Sequence, residues 1–156
     1  MLLKLRQRMA SEQGFTLIEL LVVMLIIGLL AAIAIPTFFN QREKARDAGA
    51  KEMAHTAQVA METYATDNNG NYTGVDPAAL NSIDNSIALA AGNPAKPFIA
   101  AGDASAPTAT TWTLTVTSPT GNTFSISRNA AGALSYDCTV PAGNNRAGCP
   151  NGNKWG

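Results

Sequence analysis

The sequence predicts an α+β chain, a long N-terminal helix whose second half packs on an antiparallel sheet of about three to four strands. Three observations predict it. Phe15 to Ile35 is an apolar run of 21 residues with one charge, Glu19. Asn40 to Asp67 carries a helical stripe with no proline and one glycine, Gly49. From Trp112 to Tyr136, apolar residues alternate with Thr and Ser in three short segments. The length of 156 residues fits one domain. Lys plus Arg and Asp plus Glu both total 11. That balance argues against a strongly basic nucleic-acid binder, and no specific nucleic-acid partner is expected. Charged residues make up 14%, below the roughly 25% of an ordinary soluble domain.

The apolar run comes first. As a helix it spans roughly 31 Å, about one bilayer core. Ordinary secretory signals have apolar cores of about 7–15 residues, so this run is long for that type. A secretory signal cut near Ala32-Ile33-Ala34 is the alternative; a retained membrane helix is the preferred reading. Lys4, Arg6 and Arg8 precede the run, and Arg42, Lys44, Arg46 and Lys51 follow it, so the basic count does not set orientation. The two cysteines favour a C-terminal part outside the cytoplasm. Glu19 is the anomaly. A carboxylate at the bilayer centre costs about 2.5–3.5 kcal/mol, and less near the edge. It either snorkels to the headgroups or meets a cation. No Lys, Arg or His lies within the run, so such a cation must come from elsewhere. Gly28 costs roughly 1 kcal/mol relative to alanine. Pro36 lacks an N–H and weakens the helix around Ala32. The stretch Gly28 to Pro36 is therefore its softest part.

The helical pattern continues beyond the run. Ala50, Met53/Ala54, Ala57, Ala60/Met61 and Tyr64 form an apolar stripe, which requires a surface to pack on. Charges gather at Arg42, Glu43, Lys44, Arg46, Asp47, Lys51 and Glu52. The plain reading is a solvated, self-paired face with Asp47 and Lys51 in favourable i,i+4 order. The sharper one is pairing between subunits or contact with anionic lipid. His55, the single histidine, reads as helix surface. It excludes a multi-histidine metal site within one chain. Asp67-Asn68-Asn69-Gly70-Asn71 ends the helix. Its alternating oxygens fit a calcium loop poorly, because the glycine comes one place early and Ala78 stands where a glutamate belongs. Asn71-Tyr72-Thr73 is a weak glycosylation sequon.

Residues 68–110 read as a loop region, with a short helix from Pro77 capped by Asp76 and a turn over Asp84 to Ala91. An antiparallel meander follows over 111–137, with turns at Ser118-Pro119-Thr120-Gly121 and Asn129-Ala130-Ala131-Gly132. Cys138 and Cys149 bound the next segment, 138–149. Two thiols do not make a zinc site alone, leaving a free pair or a disulfide. Export favours the disulfide, which would contribute roughly 3 kcal/mol. The tail 150–156 holds Trp155, which is expected to fold back on the sheet.

The stretch Gly14-Phe15-Thr16-Leu17-Ile18-Glu19, with a basic leader before it and Pro36 seventeen residues after Glu19, resembles the class III signal of type IV prepilins. The resemblance is close over Met1 to about Phe39 and general beyond. It implies a pilin fold and a division into leader 1–14, membrane or filament-core helix 15–39 and head 40–156. It implies cleavage by a prepilin peptidase between Gly14 and Phe15, and N-methylation of Phe15. Glu19 would pair with the freed Phe15 amine, and Gly28 to Pro36 would extend in the filament. The cysteine loop is similar to the C-terminal disulfide loop of many pilins.

Function follows as an expectation: a structural subunit of an extracellular type IV pilus serving adhesion, motility or DNA uptake. Its partners would be copies of itself in a helical filament, the peptidase and methyltransferase, an assembly ATPase, a platform protein and, before assembly, the membrane. The precursor would sit in the inner membrane as a single pass. No catalytic residue, metal or cofactor is expected. No phosphate-cradling Gly-rich loop with Lys and Ser or Thr occurs, and no Gly-x-Ser-x-Gly elbow. A type II secretion pseudopilin is the alternative within the superfamily. Such pseudopilins typically carry a C-terminal calcium site and no disulfide, and here Asp137 is the only acid after Asp103. A membrane-anchored adhesin that never polymerises is the alternative of another class.

Overall fold

The computed structural model describes residues 14–89, 93, 95–100, 102–105 and 107–156. The expected leader lies outside the described residues except for Gly14, as do Ala90 and Ala91 of the expected turn. Two compact units adjoin in sequence at Phe39 and Asn40.

Helix α1 spans Leu17–Asp67 with Pro36 inside it. In the first unit the apolar side chains are bare: Phe15 is 89% exposed, Leu25 71% and Ile33 66%. Among the described residues, this is the one helix long and apolar enough to cross a membrane. In the second unit, Ala50, Ala54, Ala57, Ala60, Met61 and Ala65 of α1 are buried. Small side chains on that stripe let the helix backbone lie close to its neighbours. The helix ends at the expected breaker cluster. Asn69 takes φ 55°, and Gly70 N–H donates to the Ala65 carbonyl at 2.7 Å. This is a Schellman stop, in which a left-handed residue lets an N–H reach back to an orphan carbonyl.

Helix α2, Pro77–Ile83, starts on Asp76, whose side chain accepts from the Ala79 N–H. Four antiparallel strands follow in the order β1-β2-β3-β4. They are β1 Ala104–Ser105, β2 Trp112–Thr117, β3 Thr123–Arg128 and β4 Leu134–Thr139. The register places Leu114 opposite Ile126 and Val116 opposite Phe124, and Phe124 opposite Cys138. Period-2 alternation sends these to one face, where they are buried together with the alanines of α1. On the other face Thr113 pairs with Ser127 and Thr115 with Ser125, each hydroxyl pair at 3.1 Å.

Two boundaries differ from expectation. The sheet begins earlier, because β1 lies in the segment expected to be loop, tied by Thr115 N–H to the Asp103 carbonyl at 2.9 Å. It also ends later, because β4 runs through Cys138 to Thr139. The tail then pairs with β4. Cys138 N–H donates to Asn153 O at 2.8 Å, and Trp155 N–H to Tyr136 O at 3.3 Å. Trp155 Nε1 donates to Asp137 O at 2.7 Å. Its ring meets those of Phe124, Tyr136 and His55 at 5.9, 5.2 and 5.2 Å. His55 is exposed, yet it is one wall for this tryptophan.

Tyr72 anchors the chain just after α1. It is buried, and its hydroxyl donates to Glu62 Oε2 at 2.6 Å. Burial, followed by the hydrogen bond to Glu62 and that residue's negative charge, raises its pKa. The unfolded chain then loses the proton first as the solution turns alkaline. Stability from this group is full below about pH 10 and falls as pH rises through the folded value. Tyr72→Phe should therefore flatten the alkaline fall in melting temperature. A variant whose fall matches wild type would assign that loss to other groups.

Candidate functional site

Gly14, Phe15 and Thr16 precede α1 in non-helical backbone and are exposed. A scissile Gly14–Phe15 bond would thus lie in accessible chain. Thr16 begins the helix. Its N–H and hydroxyl both donate to Glu19 Oε2, at 2.8 and 2.6 Å, and its Oγ1 accepts from the Glu19 N–H at 3.3 Å. This is a capping box, Thr-x-x-Glu, which satisfies orphan donors at a helix start. The anomalous carboxylate therefore has partners inside its own chain. Before any cleavage, the Phe15 nitrogen is a peptide nitrogen, and Glu19 meets Thr16 instead.

Gly28 has open space where a Cβ would stand. Helix α1 runs on through Pro36, and the Thr37 hydroxyl donates to the Ile33 carbonyl at 3.0 Å. No described contact brings Gly28 or Pro36 to Glu19.

Cys138 and Cys149 are joined, with S–S 2.00 Å and Cα atoms 5.8 Å apart. Both are buried. Cys138→Ser should lower head stability by about 3 kcal/mol, the loop-closure contribution of a bridge this short. Denaturant melts check it, and a midpoint equal to wild type would mean the loop holds without the bond.

The largest departure from the sequence reading is Asp47. It is fully buried rather than solvated. It does not pair with Lys51, whose Nζ lies 5.4 Å from the Phe124 ring centre and 5.8 Å from that of Trp155. Four neutral donors surround the Asp47 carboxylate. Ser118 and Thr120 hydroxyls donate to Oδ1 at 2.6 Å each. Asn122 Nδ2 and the Gly148 N–H donate to Oδ2, both at 2.9 Å. One side chain thereby ties α1 to the β2–β3 turn and to the cysteine loop. Asn122 Nδ2 also reaches the Asn145 carbonyl at 3.0 Å, which fixes the amide's orientation. Gly148 must be glycine for proximity, since a Cβ there would lie 2.5 Å from the Asp47 Cβ. The signal was present in the sequence. Asp47 is three residues before Ala50, in step with the buried stripe.

Among the described residues, no group of three or more His, Cys, Asp or Glu could hold a metal ion. Bare apolar helix in a chain that also folds a disulfide-closed α+β head, with a Gly-Phe junction just before it, resembles the type IV pilin and pseudopilin class. Comparison with known proteins agrees. The prokaryotic N-terminal methylation motif matches residues 9–35. The chain is 43% identical over 75 residues to the type IV wide pilus major component PilA4 of Thermus thermophilus, covering 48% of this chain and 56% of that protein. It is 33% identical over 87 residues to the type IV major pilin protein PilA of Myxococcus xanthus, covering 53% and 40%. It is 36% identical over 58 residues to type II secretion system core protein G of Pectobacterium carotovorum, covering 37% of each. The chain thus spans about half the length of the curated relatives it matches. No solved structure matches it significantly.

Proposed function

We propose that this chain is a structural subunit, not an enzyme, of an extracellular type IV pilus. The observation that carries the reading is the apolar segment that runs from Phe15 into α1, its large side chains bare throughout and one carboxylate near its start. Exposed apolar surface on that scale requires lipid or a polymer core to cover it. The single-pass precursor is held in the inner membrane with its leader on the cytoplasmic side. A prepilin peptidase cuts between Gly14 and Phe15 and the new amine is methylated. An assembly ATPase and a platform protein then move the subunit into a helical filament of identical copies. Glu19 pairs there with the Phe15 amine of a neighbour and sets axial register, as a buried polar residue does in a coiled coil. The segment from Gly28 to Pro36 is where the filament helix loosens. The filament serves adhesion, motility or DNA uptake. Similarity to core protein G supports a second reading, a type II secretion pseudopilin.

Sheared surface fractions and membranes from the native cell test this. Long filaments built of a chain beginning at Phe15 are expected. Gly14 replaced by a bulky residue should leave the precursor unprocessed, with its mass unchanged. A chain found only in membranes, or one beginning after Ala34, would overturn the pilus reading.

A further inference from the structure

A cleft of about 430 Å³ opens in the head beside the disulfide, lined by Asn40, Lys44, Asn145, Arg146, Pro150 and Asn151 among others. Its two charged walls are both cationic. Its remaining polar side chains are amides, which donate as readily as they accept. Arg146 is held in place, its Nη2 donating to Asn153 Oδ1 at 2.6 Å and to the Pro150 carbonyl. Asn145 Nδ2 donates to Asn40 Oδ1 at 3.0 Å, joining the loop wall to the helix wall. Glu43 accepts from the same Nδ2 at 2.8 Å but does not line the cleft.

The burial of Asp47 changes the charge outside. Between Asn40 and Asp47 the sequence holds Arg42, Lys44 and Arg46 against Glu43 and Asp47. With Asp47 withdrawn among neutral donors, the solvent meets three cations and one amide-bound carboxylate. Among the described residues, the only ion pair joins Lys154 to Asp137, so none of these cations has an ion-pair partner there.

Position supplies the partner. Lys44 comes five residues after Phe39, the last residue of the apolar unit. Five residues of helix rise about 7.5 Å, and the polar layer of a bilayer is about 5–8 Å deep on each side. Lys44 is thus tethered, five residues beyond that unit, within chain reach of the phosphates of a bilayer that holds the apolar segment. We propose that this cleft binds the phosphate of an anionic phospholipid headgroup in the unassembled subunit. Lys44 supplies a point charge and Arg146 a fixed fork, while the amides of Asn40 and Asn151 complete the shell. The lipid would seat the head on the bilayer and be exchanged for a neighbouring subunit on assembly. This rests on the membrane-anchored reading above.

The test uses the full chain reconstituted in phosphatidylcholine vesicles with and without phosphatidylglycerol. Resistance to alkaline extraction reports insertion. Acetylation of Lys44, read by mass spectrometry against Lys96 and Lys154, reports occupancy of the cleft. Phosphatidylglycerol should slow Lys44 acetylation about thirtyfold, as two cationic contacts of about 1 kcal/mol each would. Inorganic phosphate added to pure phosphatidylcholine vesicles should not. Arg146→Gln should abolish the slowing and Arg146→Lys restore much of it, whereas Arg42→Gln, outside the cleft, should leave it in place. Acetylation indifferent to phosphatidylglycerol in an inserted chain would overturn the lipid site alone. Equal protection by inorganic phosphate, or equal loss with Arg42→Gln, would reduce it to a free-anion site or to diffuse attraction, and either refutes it. Failure to resist extraction would remove the anchored reading, and the lipid site with it.

Discussion

Asp47→Ala should lower the stability of the head by about 3 kcal/mol or more. Hydrogen bonds to a charged group contribute about 1.5–3 kcal/mol each, and a buried donor left unpaired costs about 1–3 kcal/mol. The substitution removes the acceptor from four donors at once. The Gly148 N–H is left with no described alternative, whereas Asn122 Nδ2 keeps the Asn145 carbonyl. Asp47→Asn should be milder, about 1 kcal/mol. An asparagine can point its oxygen at the two obligate donors, Gly148 N–H and Asn122 Nδ2. Its own amide then faces Ser118 and Thr120, whose hydroxyls can turn and accept. Denaturant melts of the detergent-held chain, followed through buried Trp112, separate the cases. An alanine variant within about 1 kcal/mol of wild type would mean that α1 needs no such tie.

Glu19→Val should leave the chain membrane-inserted and processed but cut filament yield about tenfold or more, since the proposed ion pair would be lost at every subunit. The capping box provides a sharper comparison. Glutamine serves at that helix position as well as glutamate does, so Glu19→Gln keeps the cap and loses the charge. Pairing with a neighbour's amine requires the charge. Both variants should therefore fail to build filaments, and both should remain in the membrane fraction. Normal filaments from Glu19→Gln would confine this residue to starting its own helix.

The sequence made the long helix legible because period and composition agreed over dozens of residues. The apolar run needed no partner to be recognised, and the alanine stripe set the buried face. Strands β2 to β4 were legible for the same reason, each alternating cleanly between turn signals. The missed parts are those in which local pattern carries no information. Strand β1 is two residues long and is placed by β2, not by its own side chains. The fold-back of the tail was legible from Trp155, but its pairing with β4 was not, because it runs through the backbone of a stretch of Pro, Asn, Gly and Lys. Asp47 misled because its charge outweighed its position, although its phase matched the stripe. Thr16 stands inside the stretch that matches the N-terminal methylation motif, which hides its role as a cap, while its spacing to Glu19 already spelled one.

The tail strand has one more effect. A sheet with an open margin offers itself to any passing strand, and thousands of heads crowded along a fibre would meet such margins constantly. Here one border is sealed by residues 153–155, with Lys154 and Asp137 adding charge beside it. The other ends in a two-residue strand, too short to template growth. In the proposed fibre, stacking of copies would thus be steered away from stray ribbon formation and left to the helices.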